Sequence, residues 1–186
     1  KRSPQGYALR ITIPIEEGPQ TIVSGMTFNG NKTFTIPKLL HELKNKPGKP
    51  FDEPVLEHEK QALTTFYADN GYPYADIKQK YTIDASSQTV NIIYDIDEGP
   101  KVHIGQILII GDVMTSQKAI KNAMDIHEGD LFSYRKIIDS ELNIRRLGPF
   151  ASVKIETIGL EDHDKTIHLK VRVEEQRPFV VDLSVG

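Results

Sequence analysis

The side chains with the greatest capacity for chemistry are six histidines, and they are scattered along the chain. No two of them have the His-Glu-x-x-His spacing with which a helix holds zinc. The densest candidate cluster is Asp162-His163-Asp164, which falls in a predicted hairpin turn, where charged side chains usually face water. The sequence therefore predicts no metal site and no cofactor. The six histidines are His41, His58, His103, His127, His163 and His168.

Acid–base and nucleophilic chemistry have equally little support. Glu57 and Glu59 flank His58, but successive positions on a helix point to different faces, so these three groups do not converge. The chain has no cysteine, which excludes thiol catalysis. It also lacks the Gly-x-Ser-x-Gly, phosphate-loop and dinucleotide signatures. We predict a protein that is not an enzyme.

The composition is that of a folded globular chain. Its 186 residues are 38% hydrophobic and 26% charged, which is enough material for one or two small cores. The net charge of −3 leaves no surplus of cations to neutralise a phosphate backbone. No apolar run approaches the roughly 20 residues that a membrane-spanning helix needs.

The sequence repeats itself with an offset of about 81 residues. Glu17-Gly18-Pro19 recurs as Glu98-Gly99-Pro100, and Gly30 matches Gly111 in the same register. Both of these single glycines end a short apolar strand pattern, where they predict a turn with positive φ. We therefore expect Gly30 and Gly111 to serve structure, so that mutating either would harm folding before function.

Each copy has the pattern strand, helix, helix, strand, strand. Helix N-caps are predicted at four residues whose side-chain oxygens can accept early helical N–H groups: Thr35, Asp52, Ser116 and Ser133. Strands are predicted at 22–29, 74–83 and 90–96 in the first copy, and at 102–110, 151–158 and 166–173 in the second. The predicted fold class is α+β: tandem βααββ modules, each a three-stranded mixed sheet with two helices on one face.

This order of elements and three local motifs resemble POTRA (polypeptide-transport-associated) domains. The motifs are Gly-Tyr-Pro-Tyr-Ala-Asp-Ile at 71–77, Gly-Pro-Phe-Ala-Ser-Val at 148–153 and the Asp-Glu-Gly-Pro exit at 97–100. The resemblance divides the chain into POTRA-like domains at 20–99 and 100–176. It also implies that residues 1–19 hold the last strand of a preceding repeat, and that residues 177–186 begin a C-terminal transmembrane β-barrel.

The resemblance implies a region at the periplasmic face of the outer membrane, within an assembly factor that inserts β-barrels. Such a region would receive unfolded outer-membrane proteins and dock accessory lipoproteins. In POTRA topology the second strand lies at the sheet edge, whose unpaired N–H and C=O groups can accept an extended client by β-augmentation. Glu98, Gly99 and Pro100 would form an inter-domain hinge. The expected client-binding strands are Tyr74, Ala75, Asp76, Ile77, Lys78, Gln79 and Lys80, and Ala151, Ser152, Val153, Lys154, Ile155 and Glu156.

Other functions compete with this one. A βααββ order also begins a KH domain, and the connector at 44–49 is basic, but the equivalent 125–130 is acidic and neither contains the Gly-x-x-Gly that clamps RNA. We therefore expect no nucleic-acid partner. Two alternatives stay open: the POTRA region of a two-partner secretion or translocation transporter, and an inert spacer in which Lys78 and Lys80 protect the edge against aggregation.

Overall fold

A computed structural model describes residue 14 and residues 20–111, 114–148 and 150–176. The strands predicted within 1–19 and 177–186 lie outside these residues. Module 1 (residues 20–99) contains β1 (Ile22–Asn29), α1 (Ile36–His41), a single 3-10 turn (Glu53–Val55), α2 (Leu56–Asp69), β2 (Asp76–Asp84) and β3 (Thr89–Asp97). Module 2 (residues 100–176) contains β4 (His103–Ile110), α3 (Gln117–Ala123), α4 (Tyr134–Arg146), β5 (Phe150–Ile158) and β6 (Thr166–Glu175). The predicted order βααββ is confirmed in both modules.

The last strand of each module lies at the centre of its sheet. The strand orders are β1-β3-β2 and β4-β6-β5. In each sheet the first strand pairs parallel with the central strand, and the second strand pairs antiparallel with it. The predicted mixed sheets are therefore confirmed, and β2 and β5 lie at edges.

Each module has its own hydrophobic core between the sheet and the helices. Alternate residues of β3 point toward the helices because side chains of a strand alternate between its faces. Val90, Ile92 and Tyr94 are thereby fully buried beside Leu39 of α1 and Leu63 of α2. Module 2 repeats this arrangement with Ile167, Leu169 and Val171 of β6, Ile120 of α3 and Ile144 of α4.

The helix caps differ between the modules. Ser116 and Ser133 accept hydrogen bonds from Ala119 N and Lys136 N, as predicted. Thr35 and Asp52 occupy the matching N-cap positions without a side-chain cap bond, so their predicted capping role is wrong. In module 1, proline occupies the second position of α1, as Pro37, and the second position of the 3-10 turn before α2, as Pro54. Proline has no N–H to donate there, which removes one of the two donors that a capping side chain uses.

Candidate functional site

Each sheet has two edges, and the edge formed by the first strand is partly covered from within its own module. The connector between the helices pairs with the start of β1, where Gly48 N donates to Val23 O at 2.8 Å and Val23 N donates to Lys49 O at 2.9 Å. The corresponding bonds in module 2 join Gly129 N to Ile104 O and Ile104 N to Asp130 O. An additional strand would therefore meet β2 or β5 more readily than the start of β1 or β4.

The predicted edge of module 1 begins later than expected. Tyr74 and Ala75 precede β2, which starts at Asp76. Ile77 is buried, whereas Asp76 and Lys78 face solvent on the other side of the strand. Lys80 pairs with Asp95 on the neighbouring β3, with 2.7 Å between the charged atoms.

Polar side chains of β2 face α2 and the 3-10 turn before it, and the sequence analysis missed them. Gln79 Nε2 lies 3.4 Å from Glu57 Oε2, and the Tyr81 hydroxyl donates to Glu53. The other amide atom, Gln79 Oε1, is buried without a hydrogen-bond partner among the described residues. Alternation along β2 places positions 77, 79 and 81 on the helix side, and this period could have identified Gln79 and Tyr81 from the sequence.

The edge of module 2 is in contact with α4. Residues Ala151 to Glu156 all lie within β5, as predicted. Arg145 Nη2 donates to Val153 O at 3.1 Å, and Ile155 N donates to Glu141 Oε2 at 3.3 Å. On the opposite face, Lys170 donates a hydrogen bond that lowers the pKa of Glu156 below its ordinary value.

Gly30 and Gly111 occupy the turns predicted for them. Gly30 has φ of 82° and Gly111 has φ of 150°, values that side chains rarely allow. A Cβ atom on Gly30 would overlap the carbonyl oxygen of Ile96, and one on Gly111 would overlap that of Val173. In each module the glycine thus lets the end of the first strand lie against the central strand.

Glu98 does not lie in a loose linker. Its carboxylate accepts Lys32 N at 2.8 Å, Thr33 N at 2.9 Å and the Tyr67 hydroxyl at 3.1 Å. Burial acts to raise the pKa of Glu98, but the hydrogen bonds from Thr33, Lys32 and Tyr67 together outweigh it, so the pKa lies below its ordinary value. The end of β3 is therefore fixed to the loop after β1, and any hinge motion must arise at Gly99 and Pro100.

A second carboxylate, Glu59, faces the interior of module 1. It is 2% exposed and accepts Lys44 N at 2.7 Å, Asn45 N at 2.5 Å and the Tyr94 hydroxyl at 2.9 Å. Glu57 instead is exposed, so the prediction that the two do not converge is confirmed. In module 2, the matching residue Ser140 accepts Asp125 N at 2.8 Å through its hydroxyl. Both residues hold the connector between the helices.

The two modules touch through a junction that the sequence analysis missed. Asp69, at the end of α2, accepts Arg135 N of α4 at 2.9 Å and the Ser133 hydroxyl at 3.2 Å. Val102 N donates to Gly71 O at 2.8 Å. Tyr74 donates to Asp164 O at 2.9 Å, and its ring stacks on His163 with the centroids 4.6 Å apart. Tyr74 thus anchors the start of the module 1 edge to module 2.

Two further observations concern ligands and membranes. Within residues 20–111, 114–148 and 150–176, no three His, Cys, Asp or Glu side chains are grouped so as to hold a metal ion. No helix in these ranges is both long enough and apolar enough to span a bilayer.

Fold and site together define a class of protein: tandem α+β repeats that each place a second strand at a sheet edge. A family model described as "Surface antigen variable number repeat", POTRA, matches residues 21–99 and 102–176. The chain belongs to the POTRA family.

Curated relatives of the chain include outer membrane protein assembly factors. The chain is 28% identical over 180 residues to the outer membrane protein assembly factor BamA of Nitratidesulfovibrio vulgaris, covering 95% of this chain and 23% of the relative. It is 24% identical over 178 residues to BamA of Neisseria meningitidis serogroup B, covering 95% of this chain and 22% of the relative. The chain therefore spans less than a quarter of the length of these relatives and resembles the POTRA region of an outer-membrane assembly factor.

Solved structures share the fold. The crystal structure of Haemophilus ducreyi BamA lacking POTRA domains 1-3 matches with a TM-score of 0.66 at 20% identity, covering 83% of this chain and 29% of that chain. The crystal structure of Haemophilus influenzae BamA POTRA3-5 matches with a TM-score of 0.58 at 18% identity, covering 86% of this chain and 63% of that chain. The predicted POTRA-like fold is thus confirmed.

Proposed function

We propose that this chain is a non-catalytic polypeptide-binding region of an outer-membrane β-barrel assembly factor, placed at the periplasmic face of the outer membrane. Its clients are unfolded outer-membrane proteins, which bind as extended segments added to the edge strands β2 and β5. Accessory lipoproteins dock on the same region. The observation that carries the proposal is the position of these two strands at sheet edges.

An edge strand is suited to clients of many sequences. Main-chain N–H and C=O groups supply the affinity in β-augmentation, and these groups are the same in every client. Side-chain contacts then come from the side chains between β2 and α2, where Gln79 Oε1 is an acceptor without a hydrogen-bond partner among the described residues.

The lysines of β2 do not block a client strand from pairing with this edge. Lys78 pairs with Asp76 and Lys80 pairs with Asp95, so both ammonium groups are directed to acids of the same sheet. Side chains stand perpendicular to a sheet, whereas an added strand approaches in its plane. This arrangement favours client binding over the spacer alternative, in which the lysines would keep other strands away.

The proposal is tested by amide NMR titration of the 186-residue chain with an unfolded outer-membrane-protein peptide of alternating hydrophobicity, and separately with a short RNA. We expect peptide to shift the amides of Asp76 to Lys80 and those of Ala151 to Glu156, and RNA to shift no amide signals. Absence of any response to peptide would support the spacer alternative. Shifts at residues 44–49 with RNA would replace the proposal with nucleic-acid binding.

A further inference from the structure

Two side chains of α4 bond the backbone of β5 at the point where a client strand would bond it. Arg145 donates to Val153 O at 3.1 Å, and Ile155 donates its N–H to Glu141 at 3.3 Å. The two side chains lie one helical turn apart and bond each other at 2.7 Å. Together they form a single bridge between α4 and the edge.

This bridge offers the same groups that a neighbouring strand would offer. The outward side of an edge strand presents one C=O and one N–H at every second residue, and a partner strand supplies a donor to the first and an acceptor to the second. The guanidinium of Arg145 is such a donor, and the carboxylate of Glu141 is such an acceptor. Two outward backbone groups at the centre of β5, Val153 O and Ile155 N, therefore already have partners.

We propose that Glu141 and Arg145 form a displaceable cap that closes the edge of module 2, so that an extended client binds first at β2 of module 1. This inference rests on the proposed function, because it assigns the client to one of the two edges. The ligand class is an unfolded polypeptide segment in β conformation.

Module 1 lacks the cap. In the repeat register, Lys60 and Thr64 of α2 stand where Glu141 and Arg145 stand in α4. Lys60 interacts with Glu57 at 3.5 Å, and Thr64 donates its hydroxyl to Lys60 O at 3.0 Å. In the described part of the chain, no side chain of α2 bonds the backbone of β2. The hydrogen bonds from β2 to α2 and to the turn before it involve side chains of the strand and leave its main chain available to a client.

The cap is weak enough to be displaced. The side chain of Arg145 is 52% exposed and that of Glu141 is 30% exposed, and ion pairs at such positions contribute little stability. A client that forms several main-chain bonds can therefore replace it, but must break two bonds to do so. We expect the peptide affinity of β5 to be about tenfold lower than that of β2, which is the size of effect that one or two such bonds produce.

The test uses the 186-residue chain and an unfolded outer-membrane-protein peptide, with amide NMR shifts fitted separately for β2 and β5. In the double variant Glu141→Ala/Arg145→Ala, β5 should gain about tenfold in affinity while β2 stays unchanged. The reverse transfer, Lys60→Glu/Thr64→Arg, should lower the affinity of β2 by a similar factor of about ten. Lys60→Ala is the matched control, since it removes an exposed helical ion pair that touches no edge backbone.

The outcomes separate the two proposals. If β2 responds to peptide, and β5 responds equally in the unchanged chain and in Glu141→Ala/Arg145→Ala, the cap is refuted while the proposed function stands. If neither edge responds in any variant, the proposed function itself fails. Should the alanine variant fold poorly by circular dichroism, the transfer variant decides, because an unaltered affinity of β2 in Lys60→Glu/Thr64→Arg would also refute the cap.

Discussion

Gly30 illustrates what a single residue contributes to this fold. Its φ of 82° and the nearby Ile96 carbonyl exclude a side chain. We predict that Gly30→Ala lowers the free energy of unfolding of module 1 by about 3 kcal/mol or more, because strain and a backbone overlap act together. Urea unfolding of the variant measures this loss.

Gly48 is the matched control for that prediction. It also has a positive φ, 77°, but a Cβ atom there would meet nothing within 4 Å. Gly48→Ala should therefore lower the free energy of unfolding by only about 1 kcal/mol, because the positive φ strains alanine there but no atom overlaps its side chain. Equal losses in the two variants would show that the Ile96 contact is unimportant. The repeat register predicted both glycine turns after the first strands, but only the three-dimensional packing distinguishes a crowded glycine from one in open space.

Glu98 gives a pH dependence to module 1. Its pKa lies below the ordinary value of 4.5 in the folded state. A carboxylate with a depressed folded pKa contributes stability above the unfolded pKa, and this stability is lost as the pH falls through the folded pKa. We predict that Glu98→Gln lowers the free energy of unfolding by about 1 to 3 kcal/mol at neutral pH. The free energy of unfolding of the variant should also fall less steeply as the pH is lowered.

Urea unfolding between pH 3 and pH 7 checks this prediction, with the exposed turn variant Glu161→Gln as control. The prediction would be contradicted if the free energy of unfolding of Glu98→Gln changed with pH as steeply as that of the unchanged chain. The sequence analysis assigned Glu98 to a hinge because its local neighbours are Gly99 and Pro100. The donors at Lys32 and Thr33 lie more than 60 residues away in the chain, so local pattern does not reveal them.

At the scale of elements, the helix N-termini offer a comparison between modules. Ser116 accepts Ala119 N at 3.2 Å, whereas Thr35 makes no side-chain cap bond. We predict that Ser116→Ala lowers the stability of module 2 by about 1 kcal/mol, and that Thr35→Ala changes module 1 by less than about 0.5 kcal/mol. Amide hydrogen exchange in α1 and α3 measures both effects. Equal losses would mean that the hydroxyl of Thr35 caps α1 after all.

Elements were more predictable than their ends. Alternating apolar residues and turn signals located every strand of the described modules, since burial on one face imposes a period of two. The strand β2 starts at Asp76 and not at the predicted residue 74, because Tyr74 bonds module 2 instead of continuing the strand. Tertiary contacts of this kind have no signature within the strand itself.

At the scale of the whole molecule, the repeat revealed two modules but not how they meet. The pattern repeats because each module builds the same core, whereas the junction uses residues that have different roles in the two copies. Asp69 caps α4 of the following module, and Tyr74 packs on the turn at 159–164 of that module. Only the assembled structure brings these residues together.

The junction predicts that the two modules move as one body. Among the contacts that join the described modules are Val102 N to Gly71 O at 2.8 Å, Asp69 to the start of α4, and Tyr74 to Asp164 O and the His163 ring. In the double variant Asp69→Ala/Tyr74→Ala, the first of these contacts remains and the other two are lost. We expect backbone NMR relaxation to give one rotational correlation time for both modules in the unchanged chain and two different times in the variant.

Asp76→Asn is the control, because it alters an exposed carboxylate of module 1 that pairs with Lys78 and, among the described residues, forms no hydrogen bond or ion pair with module 2. It should leave the common correlation time unchanged. If the double variant also keeps a single correlation time, the bond between Gly71 and Val102 would suffice to fix the modules. If the unchanged chain already shows two times, Gly99 and Pro100 act as the hinge that the sequence predicted, and the edges of the two modules would reach a client independently.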